Sequence, residues 1–484
     1  MTEFNGSIAT AFALYLAVML GIGIHAYRRT ADLSDYILGG RRLNALVAAL
    51  SAGASDMSGW LLLGLPGYAH ASGFEAFWIA IGLLAGTWIN WSLVATRLRR
   101  ITQTAGNALT LPDYFERRFA DSSRTLRIVT ALFILVFFLF YTSAGLVAGG
   151  KLFNTVFGLP YEWAVLTGAL TIIGYTFLGG FLAVSWTDAV QALLMLFALT
   201  AVPIMALGEL GGTDAALQAM GTVNQALLDA FSDKGGEPLG VIAILSLLGW
   251  GLGYFGQPHI LARFMAIRST DEIPRARLIA VAWSALTMAG ALLVGFTSVG
   301  LLQPPLAGGD PEKVFILLVQ TLFHPLVAGI CLAAILAAIM STADSQLLVS
   351  SSALAEDFYK GLLRPHAPQR ELVWVGRAGV VVIALLATLL ALKPDNQVLE
   401  LVAYAWAGFG AAFGPAILVS LFWPGMTRNG ALAGILTGGI TVIAWKQGTG
   451  GWFDLYEIIP GFLFALVAIL VVSHVEGVLA RGRE

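Results

Sequence analysis

A single cysteine, Cys331, stands in 484 residues, so no intrachain disulfide can staple this chain. A lone thiol is compatible with a reducing cytosolic face. Charge is scarce as well: Asp, Glu, Lys and Arg make up 12% of the sequence, against about 25% in a soluble domain. No basic patch with interleaved aromatics offers a nucleic-acid surface. The six histidines are scattered, so no metal-ligand cluster is evident. There is no Gly-x-x-x-x-Gly-Lys-Ser/Thr loop, which argues against a fused ATPase, and no segment looks like an enzymatic domain. Before Ser7 the chain lacks a basic region and a small-residue cleavage site. The first apolar segment therefore reads as a retained span and not as a removed signal peptide.

What the chain has is apolar length. Hydrophobic residues make up 58% of it, and its mean hydropathy is +0.81. A helix of about 20 residues crosses the hydrocarbon core. The pattern predicts an all-α polytopic membrane protein with thirteen transmembrane helices, at 7–27, 46–68, 74–95, 126–150, 162–183, 188–208, 239–258, 279–300, 323–354, 372–392, 398–423, 429–447 and 455–475. With the N-terminus outside, all but five of the 27 basic residues fall on inner loops or the C-terminal tail. The exceptions are Lys151, Lys234, Lys313, Lys393 and Lys446. Such asymmetry puts the C-terminus in the cytoplasm. The inner loop near 96–125 predicts a surface helix against the membrane. The outer loop near 209–238 predicts a short exposed helix.

Two spans are unusual. Ala49-Leu50-Ser51-Ala52-Gly53-Ala54-Ser55-Asp56-Met57-Ser58-Gly59-Trp60 puts an acid and many small residues into an apolar segment. Gly249-Trp250-Gly251-Leu252-Gly253-Tyr254-Phe255-Gly256-Gln257-Pro258 is the second. Each opens a group of five spans, 46–208 and 239–423. Residues 1–45 precede the groups, 209–238 join them as an external loop, and 424–484 add two C-terminal spans and a tail. An odd number of spans inverts the second copy, which fits a five-plus-five inverted-repeat transporter core with its site at the midplane. Gly53 and Gly59, and the glycines before Pro258, would permit breaks that free backbone carbonyls and N–H groups for an ion and a zwitterion. Close helix packing is the other reading of the same glycines.

A third stretch supplies hydroxyls. Ala338, Ser341 and Thr342 share one helix face at i, i+3, i+4. They suit a hard cation such as sodium, unless the hydroxyls merely bond back to their own helix. Asp56 is either a transport-related acid or a hydrogen-bonded structural one. Asp188 lies near a predicted helix start that it could cap, and Asp344 could face an internal aqueous path. Trp60, Tyr141, Trp250 and Tyr254 are either substrate walls or ordinary packing.

The chain resembles the sodium/solute symporter family from its first span to its last, and within it the members that carry proline. The resemblance rests on Tyr36-Ile37-Leu38-Gly39-Gly40-Arg41, on the stretch from Ser51 to Leu62, and on Asn107-Ala108-Leu109-Thr110-Leu111-Pro112-Asp113-Tyr114-Phe115. It also rests on Gly179-Gly180-Phe181-Leu182-Ala183-Val184-Ser185-Trp186-Thr187-Asp188, on Gly249 to Pro258, and on Tyr404-Ala405-Trp406-Ala407-Gly408-Phe409-Gly410. It implies thirteen spans around the five-plus-five core and sodium-coupled uptake of L-proline across a bacterial cytoplasmic membrane by alternating access. Sodium is then the coupling ion, with no organic cofactor. The implied sodium ligands are the carbonyls of Ala54, Met57 and Ala338 and the hydroxyls of Ser341 and Thr342. Arg41, Asp56 and Asp188 are implied in sodium coupling or the gate. Ser58, Gly59, Trp60, Tyr141, Trp250, Tyr254 and Pro258 are implied in the substrate region. L-proline, sodium and membrane lipids are the implied partners. Another small amino acid or carboxylate, or a membrane solute sensor, stays open, as does the oligomeric state.

Overall fold

The computed structural model describes residues 6–27, 33–176, 180–302, 310–393 and 397–481. Arg28, Arg29, Gly179 and Arg483, used in the sequence reading, lie outside them. Among the described residues the architecture is all α. Its first half holds α1 (Gly6–Tyr27), α2 (Leu33–Leu38), α3 (Ala45–Met57), α4 (Gly64–Ser72), α5 (Phe77–Ile89), α6 (Ala95–Thr104), α7 (Leu111–Arg118), α8 (Thr125–Phe157), α9 (Tyr161–Thr176) and α10 (Phe181–Leu210). The second half holds α11 (Thr213–Val223), α12 (Val241–Leu248), α13 (Pro258–Ala266), α14 (Ile273–Leu301), α15 (Val314–Leu322), α16 (Pro325–Ser352), α17 (Gln369–Ala391), α18 (Val398–Phe422), α19 (Arg428–Trp445) and α20 (Ile458–Arg481). Among the described residues, nine helical stretches are long and apolar enough to cross a membrane, or ten if α12–α13 count as one bent span. Lipid offers no hydrogen bonds, so backbone that crosses it must pair within its own helix.

The centre is α16. Every residue from Cys331 to Leu348 on it is buried. A helix covered on all sides belongs in the interior and not at the lipid face. It packs on α1, α3, α8, α10 and α17. Outer helices such as α19 and α20 bury one stripe and leave the rest to lipid.

Both unusual spans are broken. α3 ends at Met57, and Ser58 takes φ 31° and ψ −169° before the chain resumes as α4. The second span runs from α12 through a tight 3-10 stretch, Gly249–Gly256, into α13 with a bend of 46°. Pro258 sits at the first turn of α13, where its missing N–H costs nothing. The glycines of this stretch allow close approach. A Cβ on Gly251 would stand 2.2 Å from the Gly82 carbonyl oxygen, and one on Gly256 would stand 2.1 Å from that of Phe409. Gly53 does not break its helix. A Cβ there would meet the Trp283 ring at 2.7 Å, so it is a packing glycine within α3.

The 96–125 region also differs from the surface helix expected there. Leu111, Pro112, Asp113, Tyr114 and Phe115 of α7 are all buried. Thr110 Oγ1 caps the Asp113 amide at 3.1 Å, and Asp113 pairs with both Arg117 and Arg127. Tyr114 and the Ser420 hydroxyl lie within hydrogen-bond distance, 2.9 Å. α7 is thus wedged into one end of the bundle. In the 209–238 segment, α11 forms the short helix expected there.

Candidate functional site

The first break lies against the hydroxyl face of α16. Ser341 Oγ donates to the Ala54 carbonyl at 2.9 Å, and Thr342 Oγ1 reaches the same oxygen at 3.3 Å. Ser341 Oγ is also 3.2 Å from the Ala338 carbonyl. Four of the five expected cation ligands therefore converge from two helices, all of them buried neutral oxygens. The fifth, the carbonyl of Met57, ends α3 and accepts the Leu61 amide at 3.2 Å. Such a set fits a small hard monovalent cation better than a transition metal, which favours nitrogen and sulfur donors. Among the described residues no group of three or more His, Cys, Asp or Glu side chains could hold a metal.

Asp56 ties the two broken spans together. Its Oδ2 accepts the Tyr254 hydroxyl at 2.6 Å, while its carbonyl accepts the Tyr141 hydroxyl at 3.0 Å. The side chain thus serves the second break and the backbone serves α8. Around this junction stand the aromatics. The Trp60 and Trp250 rings are 5.9 Å apart, and Tyr254 meets Trp406 edge-on at 5.1 Å. Trp406 Nε1 donates to the Trp250 carbonyl at 2.7 Å, and Asn90 holds the Tyr254 carbonyl at 2.9 Å. Ser58 and Gly59 lie at the turn itself. Gly59 stands so close to Ala148 and Ile339 that a Cβ would fall 2.8 Å and 3.2 Å from them. Pro258 opens α13 just beyond this group and lines a separate cavity with Ile134, Ala262 and Met265. The other expected substrate residues form one neighbourhood.

Asp188 occupies a separate, linked network. The helix start near it is capped at Gly180, and Asp188 lies two turns into α10, fully buried, so it caps nothing. Its Oδ2 accepts Ser51 Oγ at 2.6 Å and Arg263 at 3.0 Å. Arg263 also donates to Ser345 Oγ at 2.5 Å, and Ser345 donates to the Ser341 carbonyl at 2.8 Å. A continuous polar chain thus joins Asp188 to the hydroxyl face. The charge count treats Arg263 as a loop cation, yet it is fully buried. α13 extends the span past residue 258, and the arginine finds its counter-ion inside. Asp344 is likewise fully buried.

At one end of the bundle Arg41 works as a clasp. It donates to the Met265 carbonyl at 2.6 Å, the Ala108 carbonyl at 2.8 Å and Asn107 Oδ1 at 2.9 Å. Burial, with Arg99 nearby, pulls its guanidinium down to about 10, still charged at neutral pH. The amide of Leu43 donates to the Ala266 carbonyl at 3.1 Å, and the Arg268 amide to the Leu43 carbonyl at 2.9 Å. The ends of α3 and α13 are thus tied. Sequence reasoning missed Arg263, Trp406 and Ser345. Trp406 lies in one of the motifs quoted above, which was the available signal.

Known proteins resemble this chain in sequence and in fold. The profile of the Sodium:solute symporter family matches residues 36–438. The chain is 56% identical over 467 residues to a sodium/proline symporter of Salmonella typhimurium, covering 96% of this chain and 92% of that one. A sodium/proline symporter of Haemophilus influenzae is 52% identical over 485 residues, covering 98% of this chain and 95% of the other. In fold, the chain is similar to a Na+-coupled sialic acid symporter solved in a substrate-bound outward-open state. The TM-score is 0.81 at 21% identity, covering 98% of both chains. With a family match across most of its length and full-length relatives above half identity, this chain belongs to the sodium:solute symporter family.

Proposed function

We propose that the protein carries sodium and L-proline together into a bacterial cell across the inner membrane by alternating access. The observation that carries the reading is the contact of Ser341 and Thr342 with the Ala54 carbonyl. It sets a cation-suited oxygen cluster at the break of a helix whose next residues lead to Asp56 and Trp60. The choice of proline is supported by relatives at 56% and 52% identity that are named for it.

In this reading sodium exchanges the hydroxyl-to-carbonyl bonds for direct coordination by Ala54, Met57, Ala338, Ser341 and Thr342. That stiffens the turn at Ser58 and Gly59 and improves the adjacent solute site. The carboxylate of proline meets N–H groups freed by the break, and its ring packs on Trp60, Tyr141, Trp250, Tyr254 and Pro258. Asp56 couples the two sites because it bridges both broken spans. Asp188, through Arg263 and Ser345, holds the hydroxyl face in register, and Arg41 closes the cytoplasmic end. Ion and solute each favour the same conformation, so each raises the affinity for the other.

The topology follows the same reading. Counting each broken or bent pair once, thirteen spans are α1, α3–α4, α5–α6, α8, α9, α10, α12–α13, α14, α16, α17, α18, α19 and α20. The N-terminus is outside and the C-terminus is cytoplasmic. Residues 46–208 and 239–423 form the inverted repeats, with 1–45 before them, 209–238 between them and 424–484 after them. The matching breaks in α3–α4 and α12–α13, joined through Asp56 and Tyr254, support this pairing.

Radiolabelled L-proline uptake into proteoliposomes, with and without an inward sodium gradient, tests the function. Accumulation should require sodium and should be lost in Ser341→Ala and Thr342→Ala. Binding without uphill uptake would point to a sensor or facilitator. Sodium-driven uptake of a different small carboxylate, found in a competition panel, would replace proline as the substrate.

A further inference from the structure

His259 follows Pro258 and is fully buried, yet neither ring nitrogen has a hydrogen-bond partner among the described residues. The amide nitrogen of Gln346, also fully buried, is unpaired in the same way, while its Oε1 accepts the Thr142 hydroxyl at 3.2 Å. Both residues stand against one face of α8. The His259 ring is 5.6 Å from Phe138 and 6.0 Å from Tyr141, and Thr142 is the next residue. Buried polar groups almost always have partners. Each one left without costs about 1–3 kcal/mol. Two such residues on one helix face offer hydrogen-bonding atoms to a ligand.

We propose that His259 and Gln346 form a release subsite for the carboxylate of the transported amino acid, on the Arg41 side of the main pocket. The chemistry of the free atoms selects the ligand. An amide NH2 only donates, and a neutral imidazole offers one N–H. A cation would need oxygens, and the unpaired atoms here are nitrogens. Arg263 donates to the His259 carbonyl at 2.9 Å and fixes the start of α13, its charge being balanced by Asp188. Position agrees with chemistry. Gln346 lies four residues beyond Thr342 on α16, about 6 Å closer to the Arg41 end. Pro258 lines a narrow cavity of about 30 Å³ that lies toward that end between α8, α13 and α16. Its walls include Ile134, Ala262, Met265 and Leu348, with Leu111 and Pro112, and also the polar Thr110, Ser352 and Asp357. A solute with an apolar ring and a carboxylate would meet the side-chain donors first and, as the Arg41 end opens, this mainly apolar lining next.

This subsite rests on the transport reading, and sidedness separates the two. Sodium-driven L-proline uptake is measured in right-side-out and inside-out proteoliposomes. Wild-type vesicles that fail to accumulate proline would overturn the transport reading itself. With that intact, His259→Leu and Gln346→Leu should each raise the half-saturating proline concentration at the Arg41 side about tenfold and leave the opposite side unchanged. His259→Gln keeps a donor and should behave as wild type. Prolinamide, which lacks the carboxylate, should compete from the Arg41 side equally in wild type and His259→Leu. Equal changes at both sides, or no change at either, would overturn the subsite. Should His259→Leu fail to fold, Gln346→Leu carries the same comparison.

Discussion

Tyr254 places its hydroxyl on Asp56 and its ring edge-on to Trp406, so Tyr254→Phe separates the two roles. The ring contact survives, but Asp56 loses its partner at a cost of about 1–3 kcal/mol. We expect a weaker joint affinity for sodium and proline at equilibrium with little change in the unfolding temperature. Unchanged binding would mean that the bond to Asp56 does not link the sites. The buried pair of Asp188 and Arg263 calls for a cycle of variants. Asp188→Asn or Arg263→Gln alone strands a buried charge and costs about 3–5 kcal/mol, whereas the double variant recovers much of the loss. Unfolding in detergent reads this directly. Asp121 gives a pH signature. Burial pushes its carboxyl up, but the Ser123 hydroxyl, the Leu126 amide and Arg428 outweigh this and hold it below its ordinary value. The ionised form therefore stabilises the fold. That contribution is complete above the ordinary carboxylate pKa of about 4 and is lost as pH falls through the lowered value. The stability gap between wild type and Asp121→Asn should shrink accordingly in acid. These pairings were hidden in the sequence because they are non-local: Arg263 meets Asp188 across 75 positions, and Tyr254 meets Asp56 across 198.

At the scale of helices, the 3-10 stretch Gly249–Gly256 is held by backbone packed on backbone. Gly251→Ala would drive a methyl into the Gly82 carbonyl. We expect a loss of about 1–3 kcal/mol, seen as a lower unfolding temperature in detergent. Gly240→Ala, where a Cβ meets open space, is the matched control and should change little. Equal behaviour of the two variants would show that α5 and the 3-10 stretch do not depend on this approach. Much of the helical layout could be read directly from residues. Apolar length located the long helices, and runs of small residues, beside an acid in the first, marked both broken stretches. The hydroxyl face of α16 followed from i, i+3, i+4 spacing. Tertiary partners were not legible. Gly53 and Gly59 look alike in the sequence, yet one accommodates the Trp283 ring and the other lies in the turn after Met57. α7 reads as amphipathic surface, and only its bonds to Arg127 and Ser420 reveal that it is wedged inward.

For the molecule as a whole, the decisive consequence is electrical. The candidate cation cluster contains only neutral oxygens, and proline is a zwitterion, so a cycle carrying one sodium moves one net positive charge. No compensating charge movement is built into the cluster itself. A charge crossing about 100 mV gains about 2.3 kcal/mol. Converted to concentration, that is about fiftyfold extra accumulation at equal sodium on both sides. Proteoliposomes with equal sodium inside and out and a potassium diffusion potential, negative inside, isolate this term. We expect uphill proline accumulation driven by voltage alone, abolished by collapsing the potential with valinomycin in symmetric potassium. A buried acid that titrated once per cycle would instead carry a proton in exchange and remove the voltage dependence. Accumulation that ignores the potential but responds to a sodium gradient would therefore assign a counter-moving proton, with Asp56, Asp188 and Asp344 as the buried acids to test for it.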